Sequence, residues 1–464
     1  MYMKKIIVLS AAGLMLSGCG IYTKYKPATE VPQGLYGDAV EETTAVAQVR
    51  QDTADYFGNL SWRTVFTDPY LQELIDSALV RNTDLQTAQL KVKEAEAALM
   101  SARLSYLPSF NFTPQGTLSS FDGSPVSKTY SIPVQAGWEI DIFGKLTNAK
   151  RQARVGVELT EASAQAVRTQ IVAGVANTYY TLLMLDAQRT IAVETEAAWK
   201  ASVETMRAMK QAGMVTEAAL AQTEANYYSV RTQVLGLKEQ INTVQNSLCL
   251  LLADVPHRIE RGELAGQQLP ADFSVGIPLQ VLSNRPDVRA AELSLARSFY
   301  GTNAARAAFY PTITLGGSAG WTNSAGAMIV NPGKFLWSAV ASLTQPLFNR
   351  AANIAQLRIA KAQQEEAQLA FHQTLLEAGV EVNEALDAYQ TAREKTSLYE
   401  KQVEALETAV RSTQLLMKHG STTYLEVLTA QQTLLSAQLN QVANRFTEIQ
   451  SVITLYRALG GGRM

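Results

Sequence analysis

The chain has 464 residues, 47% hydrophobic and 18% charged, with a formal net charge of −2, so it lacks the basic excess that a nucleic-acid partner requires. Its two cysteines, Cys19 and Cys249, leave no disulfide to expect within one mature chain. No run after Cys19 reaches roughly 18 consecutive apolar residues, which excludes a helical membrane protein but not a β-barrel, whose strands need only about ten alternating residues.

Residues 1–18 read as an export signal. Lys4 and Lys5 precede an apolar run, Ile6 to Leu16, too short to span a bilayer, and Leu16-Ser17-Gly18-Cys19 follows. That ending resembles a bacterial lipobox, in which the cysteine becomes the lipidated first residue, so Cys19 is the expected lipidation site. Gly20 follows it rather than an aspartate, which is compatible with the outer membrane. Removal of the signal leaves 446 residues and a formal charge of −4, because Lys4 and Lys5 go with it. Residues 19–60, rich in Thr, Pro, Gly and acidic residues, are expected to form a lipidated tether.

Order begins near Trp62. Asp68 is placed to cap a helix with Pro69 at its first position, and that helix is expected to run to about Leu107, where Pro108 stops it. The period then changes from helix to strand. From Tyr130 to Ile142 every even position is apolar, ending with Trp138, Ile140 and Ile142, while the odd positions are Ser, Pro, Gln, Gly, Glu or Asp. Phe110, Phe112 and Leu118 alternate in the strand before it, and Gly123-Ser124-Pro125 supplies the turn. A second pair follows the same design: Ile313, Leu315, Ala319 and Trp321 in one strand, Phe335, Trp337, Ala339, Ala341 and Leu343 in the next, with Asn323 to Gly333 as the loop between them.

After each hairpin comes a long proline-free stretch, Lys145 to Gln211 and Asn349 to Lys418. The second would make a rod of roughly 105 Å. Val382, Leu386 and Tyr389, recurring near Val403, Leu406 and Val410, give it a coiled-coil seam. Glycine turns at Gly213 and Gly420 end the rods, and returning helices run to about Ala253 and Leu459. Asp84 and Asp287, Arg103 and Arg306, and Pro108 and Pro311 are each 203 residues apart; Gly174 and Gly379 are 205 apart; Gly213 and Gly420, and Leu252 and Leu459, are 207 apart. One unit of about 200 residues is therefore used twice: a first repeat over 61–255, a Gly/Pro/Gln-rich linker over 256–278, and a second repeat over 279–462. The hairpins carry one apolar and one polar face with aromatics near their ends, as an outer-membrane barrel wall requires; packing on a soluble core is the alternative. Four strands cannot close alone, since the smallest stable barrels have about eight, so the barrel needs several chains.

Trp62-Arg63 with Phe66 and Asp68, Leu74-Ile75-Asp76-Ser77-Ala78-Leu79 with Asn82 and Asp84-Leu85, Asn284-Arg285-Pro286-Asp287-Val288, Ala304-Ala305-Arg306-Ala307-Ala308-Phe309-Tyr310-Pro311, Gly420 with Tyr424-Leu425-Glu426-Val427-Leu428, and Ala458-Leu459-Gly460-Gly461-Gly462 together resemble the outer membrane factor family, the TolC-like exit ducts of tripartite efflux pumps, in its lipoprotein branch. The resemblance covers residues 60–462. It implies a mainly α fold with a transmembrane β-barrel: four strands per chain, a homotrimer with a 12-stranded barrel, and an α-helical periplasmic tunnel. It also implies a periplasmic adaptor, an inner-membrane transporter of the resistance-nodulation-division class, and outer membrane lipids as partners. The expected function is passive conduction to the outside; the alternatives are a non-conducting periplasm-spanning lipoprotein and the duct of a type I protein secretion system.

A duct needs no catalytic group, only a shaped and charged path that can close. Glu426 matches a position where relatives carry an acidic ring, so a trimer would present three carboxylates there; a solvated glutamate is the plainer reading. A second acidic position falls on Thr429, and the tyrosine and arginine that latch some members fall on Met417 and Thr422. Tyr424 serves either as a substitute latch or as packing. The turns carrying Met209, Gly213, Met214, Lys418, His419 and Gly420 are the expected adaptor-docking tips. Their methionines, with Met206, read as adaptable packing before a soft-metal path. Glu139 and Asp141 read as lumen lining before an acid–base pair. His257, His372 and His419 show no metal-ligand spacing, and no nucleophile elbow or phosphate loop is present. No catalytic residue, metal or other cofactor is expected.

Overall fold

The computed structural model describes residues 25–26, 57–268, 285–325, 328–419 and 423–462. Cys19, Gly420, Thr422, nearly all of the tether and the second half of the linker lie outside them. The helices are α1 (Trp62–Val65), α2 (Pro69–Arg81), α3 (Thr83–Leu104), α4 (Lys145–Gln211), α5 (Glu217–Leu251), α6 (Pro286–Ala307), α7 (Ala352–Lys418) and α8 (Tyr424–Ala458). The strands are β1 (Ser109–Phe112), β2 (Gln115–Ser119), β3 (Ser127–Ile140), β4 (Thr312–Ala325) and β5 (Met328–Thr344). The repeat holds at the level of element length: α3 and α6 have 22 residues each, α4 and α7 have 67, and α5 and α8 have 35.

The chain divides into two compact units. The first, residues 1–30, 90–162 and 289–373, holds a single antiparallel sheet in the order β1-β3-β4-β5, with β2 continuing β1 along β3. The four expected strand passes are present, but Thr113-Pro114 splits the first into two segments. Proline cannot donate to a ladder, and the register places Thr113, beside Pro114, opposite Pro133: Thr113 N donates to Pro133 O at 3.2 Å, so the donor that Pro133 lacks would have pointed into the gap between β1 and β2. On its other flank Pro133 meets Gly320, where a Cβ would stand 2.2 Å from the Ile132 carbonyl oxygen and 2.5 Å from the Pro133 Cα. Only glycine fits that approach.

The loop expected over Asn323 to Gly333 is largely strand instead: β4 runs to Ala325 and β5 starts at Met328. The register shifts between Thr322 and Ser324, and the Asn323 carboxamide replaces the missing backbone partner. Its Oδ1 accepts from Tyr130 N at 2.7 Å and its Nδ2 donates to Lys128 O at 2.9 Å. The strand expected from Tyr130 to Ile142 lies at Ser127–Ile140.

The second unit, residues 31–89, 163–288 and 374–464, is helical. Asp68 caps α2, accepting from Tyr70 N at 2.9 Å, and Pro69 follows at the first position. The single helix expected from Pro69 to about Leu107 is instead two, because Asn82 leaves the helical path with ψ of 127°. Its Oδ1 accepts from Asp84 N and Leu85 N at 2.9 and 3.1 Å, restarting the helix as α3. Its Nδ2 donates to Leu251 O at 2.9 Å, at the end of α5. In the second copy, 203 and 207 residues on, Arg285 donates to Ala458 O at 2.8 Å. Different side chains thus satisfy the same orphan carbonyl at the end of each returning helix.

Around these junctions Tyr179, Tyr180, Leu182 and Tyr456 are buried. Tyr179 donates to Asp68 Oδ2 at 2.7 Å, and Tyr456 donates to Leu60 O at 2.8 Å. The coiled-coil seam is buried at Val382 and Tyr389 but only half-buried at Leu386, Val403, Leu406 and Val410.

Both returning helices end in the same hydrogen-bonded cap. Asp254 N bonds Cys249 O and Ala253 N bonds Leu250 O in the first copy; Gly461 N bonds Tyr456 O and Gly460 N bonds Arg457 O in the second. The left-handed position is Gly460 (φ 77°) in one and Ala253 (φ 52°) in the other. A Cβ costs about 1 kcal/mol in that conformation. Ala253→Gly is therefore expected to stabilise the protein by up to about 1 kcal/mol, read as a raised urea midpoint with unchanged slope.

Candidate functional site

The sheet is divided between an apolar and a mainly polar face, with Leu336 and Val340 of β5 as apolar exceptions on the polar side. The paired rows Phe112–Val134–Ala319–Trp337, Ile132–Trp321–Phe335, Trp138–Leu315–Ala341 and Ile140–Ile313–Leu343 lie on one side. The rows Asn111–Gln135–Ser318–Ser338 and Glu139–Thr314–Ser342 lie on the other. The Ser318 and Ser338 hydroxyls bond each other at 2.8 Å. On the apolar side Val134 is 46%, Trp321 58% and Trp337 71% exposed, far more greasy surface than a water-soluble chain leaves open. From Tyr130 to Ile140 that side runs for about 34 Å along the strand, or about 26 Å across a bilayer at a tilt of about 40°, the height of a barrel's lipid-facing band. Trp321 and Phe335 stack edge to face at 5.2 Å toward one end. Trp138 donates its indole N–H to Tyr106 O at 2.9 Å at the other. Among the described residues the outer edges of β1, β2 and β5 have no strand partner.

Glu139 and Asp141 do not form an acid–base pair. Asp141 caps α4, accepting from Leu146 N at 2.9 Å, Thr147 N at 2.7 Å and Thr147 Oγ1 at 2.6 Å; Glu139 pairs with Lys145 at 2.9 Å.

In the helical unit, Gly213 ends α4 at φ 73°. Met214 N bonds Met209 O and Gly213 N bonds Lys210 O, both at 2.9 Å, the cap that a left-handed glycine permits. Thr216 Oγ1 then accepts from Ala219 N to start α5, and Lys210 and Glu217 pair across the turn. Met209 is half-buried, and Met214 is 70% exposed. At the second turn Met417 is half-buried and His419 exposed, and Lys418 is the last residue of α7.

Tyr424 opens α8 and packs against the buried cluster of Trp199, Val230, Leu428 and Leu435. Its hydroxyl lies beside Ser202 and Thr223 without making a hydrogen bond of normal geometry, and burial pushes its pKa up. Glu426 and Thr429 are both exposed, three residues apart and so neighbours on one helix face; Thr429 Oγ1 donates to Leu425 O at 2.9 Å. The structure thus separates Tyr424, which belongs to a packed cluster, from Glu426 and Thr429, which face outward. No group of three or more His, Cys, Asp or Glu among the described residues could hold a metal ion, and Cys249 is a buried free thiol.

One feature was invisible to spacing. Tyr25, Arg151, Arg154, Arg289 and Tyr300 meet around one cavity, although they come from three distant stretches of chain.

The family profile described as outer membrane efflux protein matches residues 74–254 and 277–461. The chain belongs to that family. The cation efflux system protein CusC of Escherichia coli O6:H1 is 30% identical over 457 residues, 97% of each chain. A solved CusC structure superposes with a TM-score of 0.82 at 27% identity, covering 96% of this chain and 100% of that one. The probable outer membrane lipoprotein SilC of Salmonella typhimurium is 27% identical, covering 100% of this chain and 99% of SilC. The toluene efflux pump outer membrane protein TtgC of Pseudomonas putida is 27% identical, covering 99% and 96%. As a family member this chain is an outer membrane efflux channel, and the two-faced sheet is its membrane wall.

Proposed function

We propose that three copies join edge to edge into one 12-stranded barrel. The observation that carries this is a sheet apolar on one side and polar on the other, with its outer edges unpaired among the described residues. Hydrocarbon tolerates no unpaired strand edge, and four strands are too few to close. The polar rows then line water, and Cys19, as a lipidated first residue, tethers each chain to the bilayer. The helical tunnel tapers beyond the ends of α4 and α7, where Met209, Met214, Lys418 and His419 meet a periplasmic adaptor linked to a resistance-nodulation-division transporter. Relatives named for cations and for toluene are about equally similar to this chain. That favours a duct indifferent to cargo, with selection made by the transporter.

Glu426 from three chains forms an acidic ring at the narrow end, with Thr429 on the same face; Tyr424 holds the start of α8 to the Trp199 cluster as packing, and Met417 lies in the last turn of α7. In planar bilayers the purified protein is expected to behave as a cation-preferring trimer. Glu426→Ala should lower its cation-over-anion preference about five-fold, the weight of about 1 kcal/mol for a charge met at about 4 Å in water. A trimer that never conducts, before or after the substitution, would favour a structural lipoprotein; unchanged selectivity would remove Glu426 from the pore.

A further inference from the structure

A cavity of about 490 Å³ in the first unit is lined by Tyr25, Arg151, Arg154, Arg289, Glu292 and Tyr300, among others. The Tyr25 ring stands edge to face on Phe299 at 5.7 Å, and its buried hydroxyl has no hydrogen-bond partner. Burial first, then the nearby Glu292, pushes that phenol up to about 12, so it stays a donor. Arg154 is occupied by Glu158 at 3.3 Å. Among the described residues Arg151 meets the Tyr300 ring, 6.0 Å from its guanidinium carbon, and neither Arg151 nor Arg289 makes an ion pair or hydrogen bond. Burial pushes the Glu292 carboxyl up, with Arg289 opposing, which weakens its repulsion of an incoming anion. A buried donor without an acceptor costs about 1–3 kcal/mol, and guanidinium forks match phosphate oxygens. Three donors from three distant segments thus converge on a space in which none of them makes a hydrogen bond among the described residues, although the Glu292 carboxyl also lines it.

We propose that this cavity binds an anionic phosphate group, the chemistry shared by a phospholipid headgroup and free phosphate, with Tyr25, Arg151 and Arg289 as donors. Tyr25 lies six residues after Cys19, at most about 20 Å of extended chain, so a headgroup beside the anchor is within reach. This site does not depend on conduction, and the two fail separately.

The test uses the full-length protein in detergent, titrated with phosphatidylglycerol, phosphatidylcholine and inorganic phosphate, with retention read by native mass spectrometry. Phosphatidylglycerol should be held over phosphatidylcholine. The double variant Arg151→Gln, Arg289→Gln should bind it about 25-fold more weakly, about five-fold for each arginine. Tyr25→Phe, which keeps the ring contact, should lose about five-fold. Inorganic phosphate that displaces the lipid extends the site to free phosphate. No retention of either anion, as when a neighbouring chain closes the cavity, or retention unchanged in both variants, overturns the proposal. Both variants should conduct as the parent does.

Discussion

Val134→Arg is expected to keep the protein out of the outer membrane, while Gln135→Arg, one residue later on the same strand, inserts normally. The two positions sit in adjacent rows of β3, Val134 between Phe112 and Ala319, Gln135 between Asn111 and Ser318. Side chains alternate across a strand, so one residue changes the solvent completely. An arginine on the lipid side near the bilayer midplane costs about 2–4 kcal/mol, whereas on the lumen side it meets water. In the trimer that cost is met three times in one barrel. Outer membrane fractionation and heat-stable oligomer on gels measure the outcome. Equal tolerance at both positions, or a worse defect at Gln135, would mean that the apolar side faces protein and that the barrel assignment is wrong. The neighbouring substitution shares charge, size and strand, so a general failure to fold cannot imitate the pattern.

Much of this wall was legible because period 2 is written locally: the even positions of β3 and the odd positions of β4 and β5 name the lipid side without any tertiary knowledge. The rods were legible for a similar reason. Lys145 and Gln211 bound α4 as expected; α7 starts at Ala352 rather than Asn349, because Arg350 and Ala351 take positive φ of 43° and 60° and delay the helix. The break at Asn82 carries a weak signal because asparagine is a weaker stop than proline; its match 203 residues later is Arg285, and the proline, Pro286, comes directly after that. Asn323 lies in a stretch of turn-like composition; what keeps it in the sheet is a side chain acting as backbone, which no period reveals. The half-buried residues at Val403, Leu406 and Val410 show the limit of a seam read from one chain. A heptad names the face that is covered but not which helix covers it. The cavity at Tyr25 carries no sequence signal at all, since Tyr25, Arg151 and Arg289 are joined only by folding.

Removing the Arg285 guanidinium should destabilise the helical unit by about 2–3 kcal/mol, the cost of losing buried charge-assisted hydrogen bonds, since Asp287 is 46% exposed and keeps water. The Arg285 side chain is 7% exposed. It donates to Asp287 at 3.0 and 2.7 Å, to Glu381 at 2.7 Å and to Ala458 O at 2.8 Å, and Arg457 also pairs with Glu381. Arg285→Ala leaves the last carbonyl of α8 without this bond and Asp287 without its cation. Arg285→Lys keeps the charge but cannot reproduce the fork, and should lose about 1–3 kcal/mol. Acid separates the ion pair from simple packing. Burial pushes the Asp287 carboxyl up, but the bonds and charge of Arg285 outweigh it and hold the folded value below the ordinary carboxylate range. The pair's contribution is therefore fully present above about pH 4 and is lost as pH falls through the folded value. Urea denaturation followed by helical circular dichroism should show the gap between parent and Arg285→Ala narrowing below about pH 4. A gap that stays constant from pH 7 to pH 3 would mean that Arg285 acts by filling space and capping α8, not through its carboxylates.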